Sequence, residues 1–240
     1  IADYLLDVVF RQLPVDLQQF LLQTSILDRL SAPLCDALRE RSDSRDILDE
    51  LERRNLFTFR LDENRLWYRY HHLFAEFLQA RLRERQPDLA AQLYAAASRW
   101  YEAQEAYHEA VDYALRGGHL ERAALLLEPY GRRLFEAGRF KELRLSLGQL
   151  AEPVLTGHPV LCILHGWSYA YTGEFGHARL RAEDAERAAD QAPEADVVRA
   201  EVAVLRGTLG VIQSDEPDLE SIDDDLAARL SGTDASVQGF

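Results

Sequence analysis

The apolar residues of this chain change their period near residue 56 and change it back by residue 73, and that excursion constrains the fold more than any other feature. Leu56-Phe57-Thr58-Phe59-Arg60-Leu61 and Leu66-Trp67-Tyr68-Arg69-Tyr70 are rich in aromatic and β-favouring residues and flank the polar link Asp62-Glu63-Asn64-Arg65. Side chains that alternate between two faces make strands, and a short polar link between two such runs makes a hairpin. On either side the period is helical. Tyr4, Leu5, Val8 and Val9 share one face, and Leu17, Phe20, Leu21 and Leu22 form another after Pro14, a good first-turn residue. Ser31 before Ala32-Pro33 reads as an N-cap, and Ser44 reads as the cap of a run in which Ile47, Leu48 and Leu51 lie together. After the hairpin, Leu73, Phe74, Phe77, Leu78 and Leu82 form a single stripe. Three or four short helices, a two-stranded wing and a closing helix describe a winged-helix domain over residues 1–85.

Beyond about residue 86 no strand pattern recurs, and helices follow one another through short turns. The turns share a phrase: Gly118-His119-Leu120 with Ala123, Gly138-Arg139-Phe140 with Leu143, and Gly173-Glu174-Phe175 with Ala178. Glycine supplies the left-handed corner between paired helices, and the residue five places on packs between them. Set against the tetratricopeptide repeat, which recurs about every 34 residues, Gly166, Tyr169, Ala178 and Ala185 fit the consensus, while Cys162, His165, Ala182 and Asp190 depart from it. The turn glycines are 20 and 35 residues apart, so the first interval is a shorter hairpin. The expected fold is mainly α: the winged helix with its small β-hairpin, a helical arm over 86–150, and the start of a tetratricopeptide-like solenoid over 151–240. Glu216-Pro217-Asp218 reads as a helix start and Ser231-Gly232-Thr233 as its stop, and Asp234 to Phe240 have too little apolar content to fold alone.

Composition narrows the function classes. The net charge is −14, and the acidity is uneven: residues 1–85 hold 13 basic and 15 acidic side chains, leaving 14 and 26 for the rest. Duplex or single-stranded nucleic acid is therefore an unexpected partner, because binding its phosphates requires a basic face. No run approaches the roughly 20 apolar residues of a membrane span, and the first residues lack a secretory pattern, so the expected address is the cytoplasm. Cys35 and Cys162 stand on separate apolar segments and read as core thiols. The chain has no Met and opens within a helical pattern, which reads as a segment of a longer polypeptide.

Catalytic signatures are missing. There is no phosphate loop G-x-x-x-x-G-K-[ST], no strand-linked G-x-G-x-x-G, no G-x-S-x-G and no H-E-x-x-H, so no catalytic residue is assigned and the segment is not expected to be an enzyme. His72 and Glu76 lie one helical turn apart, but a third metal ligand is not evident, so no metal site is assigned. Asp223-Asp224-Asp225 lacks the alternating ligands of a calcium loop and reads as the acidic first turn of a helix. His158 and His165 read as hydrogen-bonded or solvent-facing histidines. Trp100-Tyr101 with Tyr107 and Tyr113, and Trp167 with Tyr169 and Tyr171, read as packing.

Taken in order, several stretches resemble the large ATP-binding LuxR-type transcriptional regulators, the MalT-like signal-transduction ATPases. They are Leu13-Pro14, Phe20 to Leu27, Leu51-Glu52-Arg53-Arg54-Asn55-Leu56-Phe57 and, most distinctively, Trp67-Tyr68-Arg69-Tyr70-His71-His72-Leu73-Phe74, followed by Trp100-Tyr101 and Ala110 to Leu115. The resemblance covers about residues 1–190. It implies a parent protein with a P-loop ATPase domain before this segment, an effector-sensing superhelix continuing after it and a DNA-binding helix-turn-helix at the far C-terminus. The family's winged helix does not read DNA; it closes over the nucleotide and holds the ADP-bound resting state. The aromatic-His-x-Leu-Phe motif matches Tyr70-His71-His72-Leu73-Phe74, so the resemblance assigns nucleotide sensing to His71, in contact with the ADP β-phosphate; relatives often carry Pro where His72 stands. ATP or ADP would be the parent's cofactor, with none bound by the segment alone. Expected partners are the ATPase domain in cis and an effector or regulatory protein at the helical repeats, and the parent has scope for self-association. The competing reading is a free-standing helical scaffold that binds proteins through its groove.

Overall fold

A computed structural model describes residues 2–64, 66–190 and 195–213. Its contacts divide the chain into two compact units, residues 1–126 and 127–240.

The first unit opens with α1 (Ala2–Gln12), α2 (Val15–Thr24), α3 (Ala32–Arg39) and α4 (Ser44–Arg53). Pro14 sits one place outside α2 as its N-cap, not in its first turn, with φ −54° and ψ 146°, a backbone its ring already favours. Ser31 caps α3, its hydroxyl accepting the Leu34 amide at 3.4 Å. Ser44 is not a cap: Asp43 takes that position, and Ser44 is buried with its amide donating to Asp36 Oδ1 at 3.0 Å. The apolar faces meet as their spacing requires, with Phe20, Leu21, Leu34, Leu48 and Leu51 fully buried, each such side chain contributing roughly 1.5–3 kcal/mol by leaving water.

The wing consists of β1 (Thr58–Arg60) and β2 (Tyr68–Tyr70), antiparallel with Thr58 opposite Tyr70, Phe59 opposite Arg69 and Arg60 opposite Tyr68. Both strands are shorter than the alternating runs suggest. Asn55 and Phe57 take left-handed backbone, φ 51° and 50°, which curls the chain just before β1. At the other end the Asp62 carboxylate accepts the amides of Leu66 at 3.0 Å and Trp67 at 2.8 Å and closes the turn early. Arg65, read as part of that turn, lies outside the described residues. A single rung absent from the sequence reading extends the sheet: Leu30 and Tyr68 exchange amide-to-carbonyl hydrogen bonds of 2.7 and 2.8 Å.

After the wing come α5 (His72–Arg85), α6 (Pro87–Ala103), α7 (Tyr107–Arg116) and the start of α8 (Leu120–Glu136). On α5, Phe74, Leu78 and Leu82 are buried as expected, but Leu73 is 45% exposed and leaves the stripe. Tyr70 ties the wing to α2 through a buried hydrogen bond of 2.7 Å between its hydroxyl and that of Thr24.

The second unit contains the remainder of α8 with α9 (Phe140–Leu147), α10 (Glu152–Gly157), α11 (Pro159–Tyr171), α12 (Phe175–Ala189) and α13 (Ala195–Gln213). Its core is built on close approach: Ala178, Ala182, Ala185 and Ala189 of α12 are fully buried against Cys162, Val202 and Leu205. Gly166 belongs to the same logic, since a Cβ there would lie 2.7 Å from Leu205 Cδ2. The turn glycines behave as read, Gly118, Gly138 and Gly173 having φ of 74°, 69° and 82°, and Ala123, Leu143 and Ala178 are each fully buried five residues later. The helix start at Glu216, the acidic turn at Asp223 to Asp225, the stop at Ser231 and the tail from Asp234 lie outside the described residues. Winged helix followed by helical hairpins is the architecture, and among the described residues no helix is long and apolar enough to cross a membrane.

Candidate functional site

His71 stands at the junction of β2 and α5, and its backbone is fully committed. Its amide donates to the Phe57 carbonyl at 2.7 Å, and its own carbonyl accepts the amides of Phe74 and Ala75, each at 2.9 Å. With φ −60° and ψ 135° it is the N-cap of α5, yet its side chain makes no capping bond. The backbone is thus fixed, while the half-buried imidazole makes no hydrogen bond to the described residues and lines a cleft. The Phe57 carbonyl that holds it belongs to a bulky residue in the left-handed region, a conformation costing on the order of 1–3 kcal/mol. Packing of the Phe57 ring against the buried Phe74 ring, centroids 4.9 Å apart, holds that residue in place.

Around the half-buried His71 ring lie the His72 ring, stacked at 4.4 Å, and the Phe59 ring at 5.9 Å. With Arg69 and Tyr70 these residues line a cleft of about 260 Å³. Among the described residues no carboxylate lines it, and α5 has no acidic residue in its first turn. A guanidinium and two imidazoles form a donor set suited to an anion, and to phosphate in particular, with the Phe59 ring as an apolar neighbour. Arg69 was not singled out from the sequence. The signal that could have found it is its place two residues before His71 in an alternating strand, which puts both on one face.

The remaining candidates separate clearly. Glu76 is exposed one turn beyond His72, and among the described residues no group of three His, Cys, Asp or Glu side chains could hold a metal ion. His158 pairs with Glu128 at 3.1 Å. His165 departs from expectation: it is buried, and neither ring nitrogen has a hydrogen-bond partner. Tyr101 and Tyr113 are buried and stacked at 5.2 Å, as packing requires, whereas Tyr171 is exposed. Both thiols are buried, and burial pushes the Cys162 thiol up to about 12. A larger cleft of about 650 Å³ between the Asp28 loop and α6 and α7 has mixed charge, with Asp28, Glu109 and Asp112 beside Arg29 in its lining, so it favours no single class of ligand.

Comparison with known proteins gives the architecture a family. The MalT winged helix domain matches residues 6–90. The chain is similar to the HTH-type transcriptional regulator MalT of Vibrio cholerae, 37% identical over 169 residues, which is 69% of this chain and 18% of that protein. The corresponding MalT of Vibrio parahaemolyticus is 30% identical over 188 residues, 77% of this chain and 20% of that protein. The serine/threonine-protein kinase PknK of Mycobacterium tuberculosis is 31% identical over 244 aligned residues, 97% of this chain and 22% of that protein. The chain thus spans about a fifth of the length of the curated relatives it matches. The matched residues contain the whole wing and the His71 cleft, and over residues 6–90 this chain belongs to the MalT winged helix domain family.

Proposed function

We propose that this chain is the regulatory and sensory segment of an ATP-dependent transcription activator, closing over ADP in the resting state and relaying the binding of an effector or protein partner at its helical hairpins. The observation that carries the reading is the cleft at the β2–α5 junction, lined by no carboxylate among the described residues, with His71 held by its backbone and its ring among the lining side chains. Its imidazole would contact the ADP β-phosphate from the side opposite an ATPase domain in the parent protein. Opening of the wing would then be coupled to the state of the nucleotide. Two relatives named as transcriptional regulators support the transcriptional output. A similar segment also occurs in a protein named as a kinase, so the nucleotide step is best measured apart from any output. This segment would make no direct contact with nucleic acid or membrane and would act in the cytoplasm.

The test is His71→Ala in the full-length parent. ADP release should accelerate by about tenfold or more, the value of one lost charge-assisted contact, and basal transcription should rise. Unchanged ADP retention together with unchanged basal transcription would overturn the reading. The scaffold alternative is tested by the parent gene, where a P-loop upstream of Ile1 is expected.

A further inference from the structure

His71 shares its face of the wing. Alternation along β2 turns Tyr68 and Tyr70 inward, where both are buried, and leaves Arg69 and His71 on the opposite side, two residues apart. Phe59, opposite Arg69 in the register and 48% exposed, extends that face across to β1. The three line one cleft with Tyr70 and His72. The other arginine of the wing strands, Arg60, is occupied by Glu52 at 2.8 Å, whereas Arg69 has no ion-pair partner among the described residues. Arg29, Arg53, Arg83, Arg85 and Arg99 of the same unit likewise have no ion pair among the described residues, but of these arginines Arg69 is the one that lines the cleft with His71. Beside an imidazole, its planar fork of N–H donors matches the oxygens of a phosphate group, which a single histidine can contact at only one point.

We infer that Arg69 is a second phosphate-binding residue, which grips the same phosphate as His71 and presents two parallel N–H donors to it. The inference rests on the nucleotide reading for the identity of the ligand and deepens it: the wing recognises a diphosphate by charge and geometry, and Phe59 forms the apolar wall of the cleft. Two contacts from one lobe still make a weak site. The 240-residue chain by itself therefore binds inorganic pyrophosphate in the millimolar range, on the order of 4 kcal/mol, and ADP no more tightly.

Titration of the 240-residue chain with inorganic pyrophosphate, followed by NMR at the ring protons of His71 and His72 and at Arg69 Nε–H, tests this. Saturable shifts are expected at all three side chains. Arg69→Gln should weaken binding by about fivefold or more, Arg69→Lys should recover only part of the loss because a point charge replaces a fork, and Arg60→Gln should titrate like the wild type. The inference is overturned if Arg69→Gln titrates like the wild type, or if Arg60→Gln loses as much, which would reduce the effect to general charge. The two readings fail separately. Loss of ADP retention in the His71→Ala parent alongside unchanged pyrophosphate binding by Arg69→Gln sinks Arg69 alone. Weakened pyrophosphate binding by Arg69→Gln, with ADP retention and basal transcription both unchanged in the His71→Ala parent, supports the clamp and sinks the nucleotide reading.

Discussion

His165 lies on α11 with 4% of its surface exposed, neither ring nitrogen hydrogen-bonded, and its ring stacked on Tyr169 at 4.6 Å. Burial first, and then the Arg181 cation, push its pKa from 6.5 down to about 4; Arg144 and His177 add to the fall, and Glu152 opposes it. The folded state therefore holds the imidazole neutral while the unfolded chain takes up a proton. Stability from this group is complete above about pH 6.5 and is lost as pH falls toward 4. At pH 5 the loss amounts to about 2 kcal/mol, or roughly 4–8 °C in melting temperature for a chain of this size. His165→Phe keeps the stack on Tyr169 and removes the titrating group. Calorimetry at pH 7.5 and pH 5 should find the drop in melting temperature reduced by about that amount relative to the wild type, and an equal drop in both proteins would mean that His165 is not held neutral. The sequence marked this residue as a departure from the repeat consensus, but read it as hydrogen-bonded or solvent-facing. Its helical position was readable, but burial without a partner is set by what α12 and its neighbours bring to the site.

At the scale of elements, the wing divides what sequence can and cannot convey. The hairpin was legible because Thr58, Tyr68 and Tyr70 must face inward while Phe59 and Arg69 face outward, a period-2 pattern that no helix satisfies. Its ends were not legible. The left-handed turn at Phe57 is stabilised by a ring contact with Phe74, 17 residues away in sequence, and the Leu30 rung depends on a loop that packs beside Tyr68. The turn of the wing rests on one carboxylate, Asp62, which accepts two amides. Asp62→Ala leaves both without that acceptor and should cost about 1–2 kcal/mol locally. Hydrogen exchange of the Leu66 and Trp67 amides should accelerate by about tenfold, while amides of α11 and α12 keep their protection, and Asp62→Asn should restore most of the effect through its remaining carbonyl oxygen. Equal acceleration throughout the chain would show that Asp62 supports more than the turn. The His71 motif was legible as a string of residues, and alternation already sets Arg69 on the same face, but the cleft was not legible, since only the register brings Phe59 opposite Arg69.

For the whole molecule, charge decides what a winged helix of this kind can touch. Winged helices that read DNA place a basic helix and wing against phosphates, and each neutralised phosphate steepens the dependence of binding on salt. Here the helix before the wing, α4, has the sequence SRDILDELER, with Asp46, Asp49, Glu50 and Glu52 against Arg45 and Arg53. Neighbouring cations are already engaged, Arg54 with Glu50 at 2.6 Å and Arg60 with Glu52 at 2.8 Å. The acidic excess continues along the chain to a net −14. Arg53 and Arg69, without an ion pair among the described residues, are too few to build the row of contacts that a duplex backbone requires. Fluorescence anisotropy with a labelled 30-base-pair duplex, at about 50 mM salt where nonspecific affinity is strongest, should therefore show no binding by this chain up to roughly 10 μM. Under the same conditions the pyrophosphate site should remain measurable. Saturable duplex binding whose logarithm falls steeply with the logarithm of salt concentration would reveal a basic face that α4 and the wing do not provide. It would also return the wing to the DNA-reading role that its acidic setting argues against.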